Sequence, residues 1–396
     1  MRASEEAVKT QLLATTALIA TGVLAGTSGA FAQANGPAQK GKPTLAINGW
    51  VEGIVGTASQ DSSIVGTRVG WDSQYDSEFH FNGSVTLDNG IQIKTRAELE
   101  GDVSGDQWDE VYMAISGSFG ELRAGSMDNG AYQLLVPISG SWAVQVGQSL
   151  SDDTTHWLAR PAGHGTDENV RLSIGDTDSN KVNYFTPRIE GFQLALSYLP
   201  SFEECITSGT SQNAQCNSSI ASVSTNAHNG WAAGFSFDRK FDAVRTALGV
   251  GYVTAKKPKD LQASARERQS GDPKGVQLSA LVSYEGLTIS GSYKQEHNVI
   301  AAAGFESDNR ISDIGGAYAW GKNAVSVAWV HGRSPASLTV KGDDKTDVVV
   351  ASYRRELGPG VQYRFNVWHA DFRGENPGST DDNSGYAVTT SVRIAF

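Results

Sequence analysis

The connectors of this 396-residue chain alternate in length as regularly as the segments between them alternate in polarity. Ser77–Leu87 reads as a strand, and Asp88-Asn89-Gly90 turns it directly into Ile91–Glu100. The next tight turn is Gly117–Gly120, and a long connector from 128 to 178 follows the strand after it. A short turn followed by a longer connector, repeated to the end, describes an up-and-down antiparallel barrel with one plain rim and one decorated rim.

The strands themselves show period-two alternation. Phe79, Phe81, Val85 and Leu87 oppose His80, Asn82, Ser84 and Thr86. Ile91, Ile93, Ala97 and Leu99 oppose Gln92, Lys94, Arg96 and Glu98. In the last segment Tyr386, Val388, Val392, Ile394 and Phe396 oppose Thr389, Ser391 and Arg393. About sixteen such segments begin near residues 45, 77, 91, 108, 119, 179, 191, 229, 243, 275, 287, 310, 323, 344, 360 and 385. A barrel packed with its own side chains holds about eight strands. At about sixteen the interior is aqueous, so the polar faces line a lumen and the apolar faces meet lipid. The mean hydropathy of -0.30 is compatible with this, because the two faces average out. Aromatics near strand ends (Tyr198, Tyr284, Trp320, Tyr353 and Phe396) suit interfacial girdles.

Composition is even from about residue 45 onward, with no linker. The expected organisation is a signal peptide at 1–32, a short segment at 33–44 and the barrel at 45–396. Leu12–Ala25 is an apolar stretch after Lys9, and Ala30-Phe31-Ala32 is an A-x-A cleavage pattern. Glu5 and Glu6 spoil a basic n-region, which points to a translation start at Val8. Export also suits a disulfide between Cys205 and Cys216, which share a Ser/Thr/Asn-rich loop.

The connector at 128–178 conflicts with an exterior position. Leu134, Leu135, Val136, Ile138, Trp142, Val144, Val146 and Trp157 interrupt its polar residues, and exposed loops do not normally carry so much apolar surface. Folding it into the lumen buries that surface and narrows the pore. On this reading Lys94, Arg96, Arg123 and Arg364, all at polar-face positions, form a basic wall of the constriction. Asp152, Asp153, Asp167 and Glu168 supply an acidic loop facing it. The two sets would set up a transverse field.

Enzyme and metal motifs are weak. The seven His are scattered, and Asp176–Asn180 begins like a calcium loop but has Lys181 where Gly is needed. No catalytic, metal or cofactor site is expected. Lys256, Lys257, Lys259, Arg266 and Arg268 lie in a decorated-rim loop, where anionic lipopolysaccharide is the functional partner to consider. The net charge of -11 argues against nucleic acid and for weak cation selectivity.

Ser116-Gly117-Ser118-Phe119-Gly120-Glu121-Leu122-Arg123-Ala124-Gly125, supported by Ser77–Gly101 and Tyr386–Phe396, resembles the Gram-negative general porins, especially the alphaproteobacterial kind. The resemblance extends loosely over the whole mature chain. It implies a sixteen-stranded homotrimeric pore in the outer membrane, with its third loop inside the lumen. It also implies a terminal aromatic, Phe396, recognised by the barrel assembly machinery, and it puts Arg123 on the family's basic wall. The family's acidic loop motif is not cleanly reproduced after Asp128. The expected function is passive diffusion of small hydrophilic solutes and ions. The alternative is a substrate-specific channel for sugars or organic acids, with Trp142 and Trp157 as a sugar slide.

Overall fold

The computed structural model describes residues 41–61, 70–101, 108–136, 146–147, 154–161, 164, 169–172, 174, 179–202, 227–256, 271–297, 299–300, 306–335, 342–375 and 381–396. The strands are β1 (Thr44–Gln60), β2 (Trp71–Thr86), β3 (Gln92–Glu100), β4 (Trp108–Gly117), β5 (Gly120–Ser126) and β6 (Asn180–Phe185). They continue with β7 (Phe192–Ser201), β8 (His228–Phe241), β9 (Val244–Lys256), β10 (Lys274–Tyr284), β11 (Leu287–His297), β12 (Val299–Ile300) and β13 (Glu306–Ser307). The last five are β14 (Arg310–Trp320), β15 (Asn323–Pro335), β16 (Asp343–Gly358), β17 (Val361–Arg373) and β18 (Asn383–Ala395).

All of them except the small β12–β13 hairpin form one closed barrel in which sequence neighbours are spatial neighbours. β1 closes the ring against β18 in antiparallel register, from Trp50 opposite Ala395 to Gln60 opposite Gly385. The sixteen barrel strands begin within a few residues of the positions expected from periodicity. The largest difference is β2, which starts at Trp71 rather than near 77. Its outer end alternates Trp71, Ser73, Tyr75 and Ser77, and the small polar residues dilute the apolar signal there.

Alternation determines which face is which. On β1, Leu45, Ile47, Val51 and Val55 are exposed on the outer face, while Glu52 and Ile54 point inward and are buried. The register carries this parity around the ring. Leu122, Leu194, Leu196, Val250, Leu278, Val327 and Ile394 continue the exposed apolar band. Such a band is stable only in lipid, and closure leaves no edge whose backbone groups the bilayer would have to leave unpaired. Near the short-turn rim the outer face carries Phe192, Phe241, Tyr284, Trp320 and Phe396, all exposed. These rings are placed as an interfacial girdle requires.

The short turns have a local cause. In Glu190-Gly191 and Glu285-Gly286 both residues take positive φ, at 52° and 93° and at 44° and 87°. That is the two-residue turn whose twist matches the flanking strands. Gly120, at φ 107°, lies where β4 turns into β5; a Cβ there would sit 2.2 Å from the carbonyl oxygen of Phe185. Replacing Gly120 with Val therefore adds both backbone strain and a clash with fixed main chain. The backbone term alone costs about 1–3 kcal/mol. A urea titration of the refolded barrel in micelles is expected to show at least that loss; an unchanged midpoint would contradict this turn geometry.

Candidate functional site

The lumenal wall formed by β16, β17, β18 and β1 to β5 is densely charged. Lys94 and Arg96 lie two residues apart on β3, so both point inward, and Glu98 follows on the same face. Glu121 and Arg123 repeat the arrangement on β5. Arg123 Nε donates to Glu121 Oε1 at 2.6 Å, and Lys94 Nζ lies 3.2 Å from Glu121 Oε2. Arg96 Nε donates to Glu98 Oε1. Barrel closure brings Arg364 of β17 to Glu52 of β1, with Nη1 to Oε2 at 2.9 Å, and Arg393 of β18 lies 3.6 Å from the same oxygen. Arg354 of β16 pairs with Glu356 at 3.3 Å.

All four basic residues expected at the constriction thus lie on one lumenal wall. They fall into two groups, one on β3 and β5 and one across the closure seam. The sequence reading put Glu98 on the polar face with Lys94 and Arg96 but counted none of the accompanying carboxylates into the wall. Glu52, Glu98 and Glu121 turn a wall expected to be basic into a ladder of alternating sign. Parity alone puts Glu98 and Glu121 on this face; Glu52 meets Arg364 only through closure.

Aromatic faces hold the cations further. Arg123 stacks 4.6 Å over Phe185, and Arg393 lies 4.3 Å over Trp50. Such stacking fixes a guanidinium without neutralising it.

The described residues of the connector after β5 lie inside the barrel. It opens with a one-turn helix, Gly130–Gln133, capped by Asn129 Oδ1, which accepts from the amides of Ala131 and Tyr132. Gly130 N donates to Ser197 Oγ of the β7 wall at 2.7 Å, and Arg123 donates to Gln133 Oε1. Further on, Val146 N donates to Ser326 Oγ on β15 at 3.0 Å. Ala159 N donates to Gln60 Oε1 on β1 at 2.9 Å. Leu172 N and Ile174 N donate to Gln277 on β10 and Glu296 on β11, at 3.0 and 3.1 Å. The loop therefore touches much of the inner circumference.

An apolar lining explains why it stays there. Val136, Trp157, Leu158 and Val170 of the loop join one cluster with inward-facing Leu281, Ile311, Val330, Val348, Trp368 and Phe372. Trp157 is 1% exposed, and a Cβ on Gly56 of β1 would lie 2.7 Å from its ring. Trp157 therefore cannot serve as the sugar slide considered from the sequence, because both ring faces are spent on packing. Its supposed partner Trp142 lies outside the described residues, as do the loop acids Asp152, Asp153, Asp167 and Glu168 and the pair Cys205 and Cys216. Phe396 is described. Its amide and carbonyl exchange hydrogen bonds of 3.0 Å with Gly49, and its exposed ring lies 5.7 Å from that of Phe79.

His164 pins the later part of the loop. Its side chain is fully buried, Nε2 lies 3.0 Å from Thr346 Oγ1 on β16, and the ring meets Phe372 edge-on at 5.5 Å. Burial, reinforced by the nearby Arg160 charge, pushes the imidazole down from 6.5 to about 4. The folded protein thus holds it neutral while the unfolded chain protonates it below about pH 6.5. Its contribution is present in full above that pH and is lost as pH falls toward 4. At about 1.4 kcal/mol per tenfold, the loss approaches about 3 kcal/mol. Between pH 7 and pH 4 wild type is therefore expected to lose about that much more unfolding free energy than His164→Gln, measured by urea titration at each pH. Parallel losses in both proteins would count against this.

Solved barrels share the architecture at low identity. The anion-selective porin from Comamonas acidovorans is 15% identical, with a TM-score of 0.57, and the match covers 90% of this chain and 100% of that one. The outer-membrane channel DcaP of Acinetobacter baumannii is 8% identical at a TM-score of 0.58, covering 91% and 99%. OmpT of Vibrio cholerae in its trimer form is 11% identical at a TM-score of 0.56, covering 89% and 99%. No curated protein matches the chain. The family model described as Gram-negative porin matches residues 14–391. With a closed lipid-facing barrel and a loop inside its lumen, this chain belongs to the Gram-negative porins, outer-membrane channels rather than enzymes.

Proposed function

We propose that this channel passes small hydrophilic solutes and ions down their gradients, with weak cation selectivity. The observation that carries the reading is the division of the lumen. The inward loop packs on the apolar stripe, and the charged ladder lies on the inner wall from β16 to β5. On that ladder the six carboxylates Glu52, Glu78, Glu98, Glu110, Glu121 and Glu356 equal in number the six cations Lys94, Arg96, Arg123, Arg354, Arg364 and Arg393, and the chain carries a net charge of -11. Asp152, Asp153, Asp167 and Glu168 on the loop would tip the balance, facing Lys94, Arg96, Arg123 and Arg364. A mixed-sign wall orders water and screens solutes by charge and dipole without binding them tightly.

The same reading includes a leader removed after Ala32, a Cys205–Cys216 disulfide in an outer loop, assembly as a homotrimer, and recognition of Phe396 by the assembly machinery. A rival reading, a channel specific for organic acids, is favoured by one observation. Arg354, Arg364 and Arg393 gather near the short-turn rim, where Glu52 and Glu356 are their ion-pair partners among the described residues.

In planar bilayers under a potassium chloride gradient, the reversal potential is expected to show potassium preferred over chloride. Chloride preference would overturn the selectivity. A current that a small dicarboxylate blocks saturably would favour the rival.

Loop docking gives a second test. Truncating a buried Trp costs about 3–5 kcal/mol, enough to unseat a loop held largely by such contacts. Trp157→Ala is expected to raise single-channel conductance and weaken selectivity while the barrel stays folded. Unchanged conductance would mean that the loop does not set the pore's width.

A further inference from the structure

Glu78, His80 and Glu98 form a cluster on this wall, and the channel reading uses its two carboxylates but not its imidazole. Glu78 and His80 are two residues apart on β2, so both point inward. Glu98 on β3 is the register partner of His80. Their ligand-type atoms all lie within 4.8 Å of one another. The side chains are 17%, 8% and 7% exposed respectively.

The imidazole is oriented by its surroundings. Trp50 packs against it edge-on at 5.5 Å. Nε2 points at Glu78 Oε1, with which it hydrogen-bonds, and at Glu98 Oε2 across 4.0 Å. That second gap is too long for a hydrogen bond. Glu98 commits its other oxygen to Arg96. The opposite ring nitrogen, Nδ1, is buried and has no hydrogen-bond partner among the described residues. Nε2 donates to Glu78 in the metal-free protein; a metal ion would displace that proton and take the Nε2 lone pair between the two carboxylates.

We propose that Glu78, His80 and Glu98 form a site for a divalent first-row transition metal ion, such as zinc, with one coordination position open to the lumen. Imidazole nitrogen and carboxylate oxygen are both zinc donors, open zinc sites use three protein ligands, and zinc binds these atoms at about 2.0–2.2 Å. Tetrahedral ligands at that distance stand about 3.3 Å apart. Glu98 and His80 would therefore close by less than about 1 Å, and Glu78 would open slightly. Calcium and magnesium prefer all-oxygen shells, so the imidazole selects against them. The bound ion would add two positive charges to a wall whose carboxylates attract cations.

Zinc chloride titrated calorimetrically into the purified, folded full chain is expected to bind at one equivalent, while magnesium chloride does not bind. His80→Ala and Glu98→Gln are each expected to weaken zinc at least about tenfold. Unchanged heat-resistant migration and near-UV circular dichroism would show that both variants still fold; His80→Gln replaces either one that fails this check. Absence of zinc binding, or equal binding by wild type and variants, would overturn the site. The conductance effect rests on the channel reading and is measured separately. Zinc is expected to shift the reversal potential toward anions in wild type and not in His80→Ala. Binding in the calorimeter with no electrical change would leave the metal site standing and overturn its placement on the conducting path.

Discussion

The pairing of β1 with β18 is the constraint on which everything else rests. A strand in lipid cannot leave its backbone donors and acceptors unmatched, since each orphan costs several kcal/mol. An open sheet of sixteen strands would have two such edges. Closure removes both, in continuous register from Trp50 opposite Ala395 to Gln60 opposite Gly385. It continues to the last residue, where Phe396 exchanges hydrogen bonds with Gly49. Once the ring is closed, side-chain parity is locked around it, because a one-residue slip anywhere would turn a strand's lipid face inward. The charged ladder is a product of that locking: Arg364 and Glu52 are 312 residues apart in the chain and 2.9 Å apart in space.

Closure creates a second problem, which the loop solves. A sixteen-strand lumen is too wide for wall side chains to fill. Part of this lumen is nevertheless apolar: Leu281, Ile311, Val330, Val348, Val350, Trp368 and Phe372 all point inward. Left in water, that stripe would be a penalty. The loop after β5 covers it with Val136, Trp157, Leu158 and Val170. Close approach requires small wall residues at the contact points. A Cβ on Gly234 would meet Gly130 O at 2.7 Å, and one on Gly56 would meet Trp157. The loop's path is thus set by where the inner wall is apolar and where it is small.

The division between what the sequence revealed and what it hid follows from the range of each interaction. Strand positions were legible because lipid on one face and water on the other impose a period of two within a single segment. The inward placement of Lys94, Arg96, Arg123 and Arg364 came from the same parity. Ion-pair partners did not, because Arg364 meets Glu52 only through the register of strands at opposite ends of the chain. The cluster of Glu78, His80 and Glu98 was hidden in the same way: no motif spans it, and the β2–β3 register assembles it. The run Val348-Val349-Val350 shows a further limit. It reads as strand, yet nothing local says that Val348 and Val350 face a loop while Val349 faces lipid. The apolar content of the loop itself was the one long-range signal visible in advance, because an outer loop has no use for it.

The apolar stripe and the charged ladder are best understood as one arrangement. The loop needs an apolar surface to dock on, and a solute path needs a polar one. The two share β16, β17, β18 and β1, with Arg354, Arg364, Arg393 and Glu52 nearer the short turns and Val348, Trp368, Phe372 and Ala387 farther from them, so a single lumen serves both. The loop's main-chain donors are satisfied by inward Ser326, Gln60, Gln277 and Glu296 on or beside the apolar sector. On the ladder, by contrast, lysine and arginine are matched mainly by carboxylates of the same wall. A lone buried arginine would hold an anion tightly, and a lone carboxylate a cation, and either would slow passage. Local pairing leaves short-range fields that orient water and dipoles but release what passes. Which inward positions are apolar therefore decides both the width of the open path and the strength of the field across it.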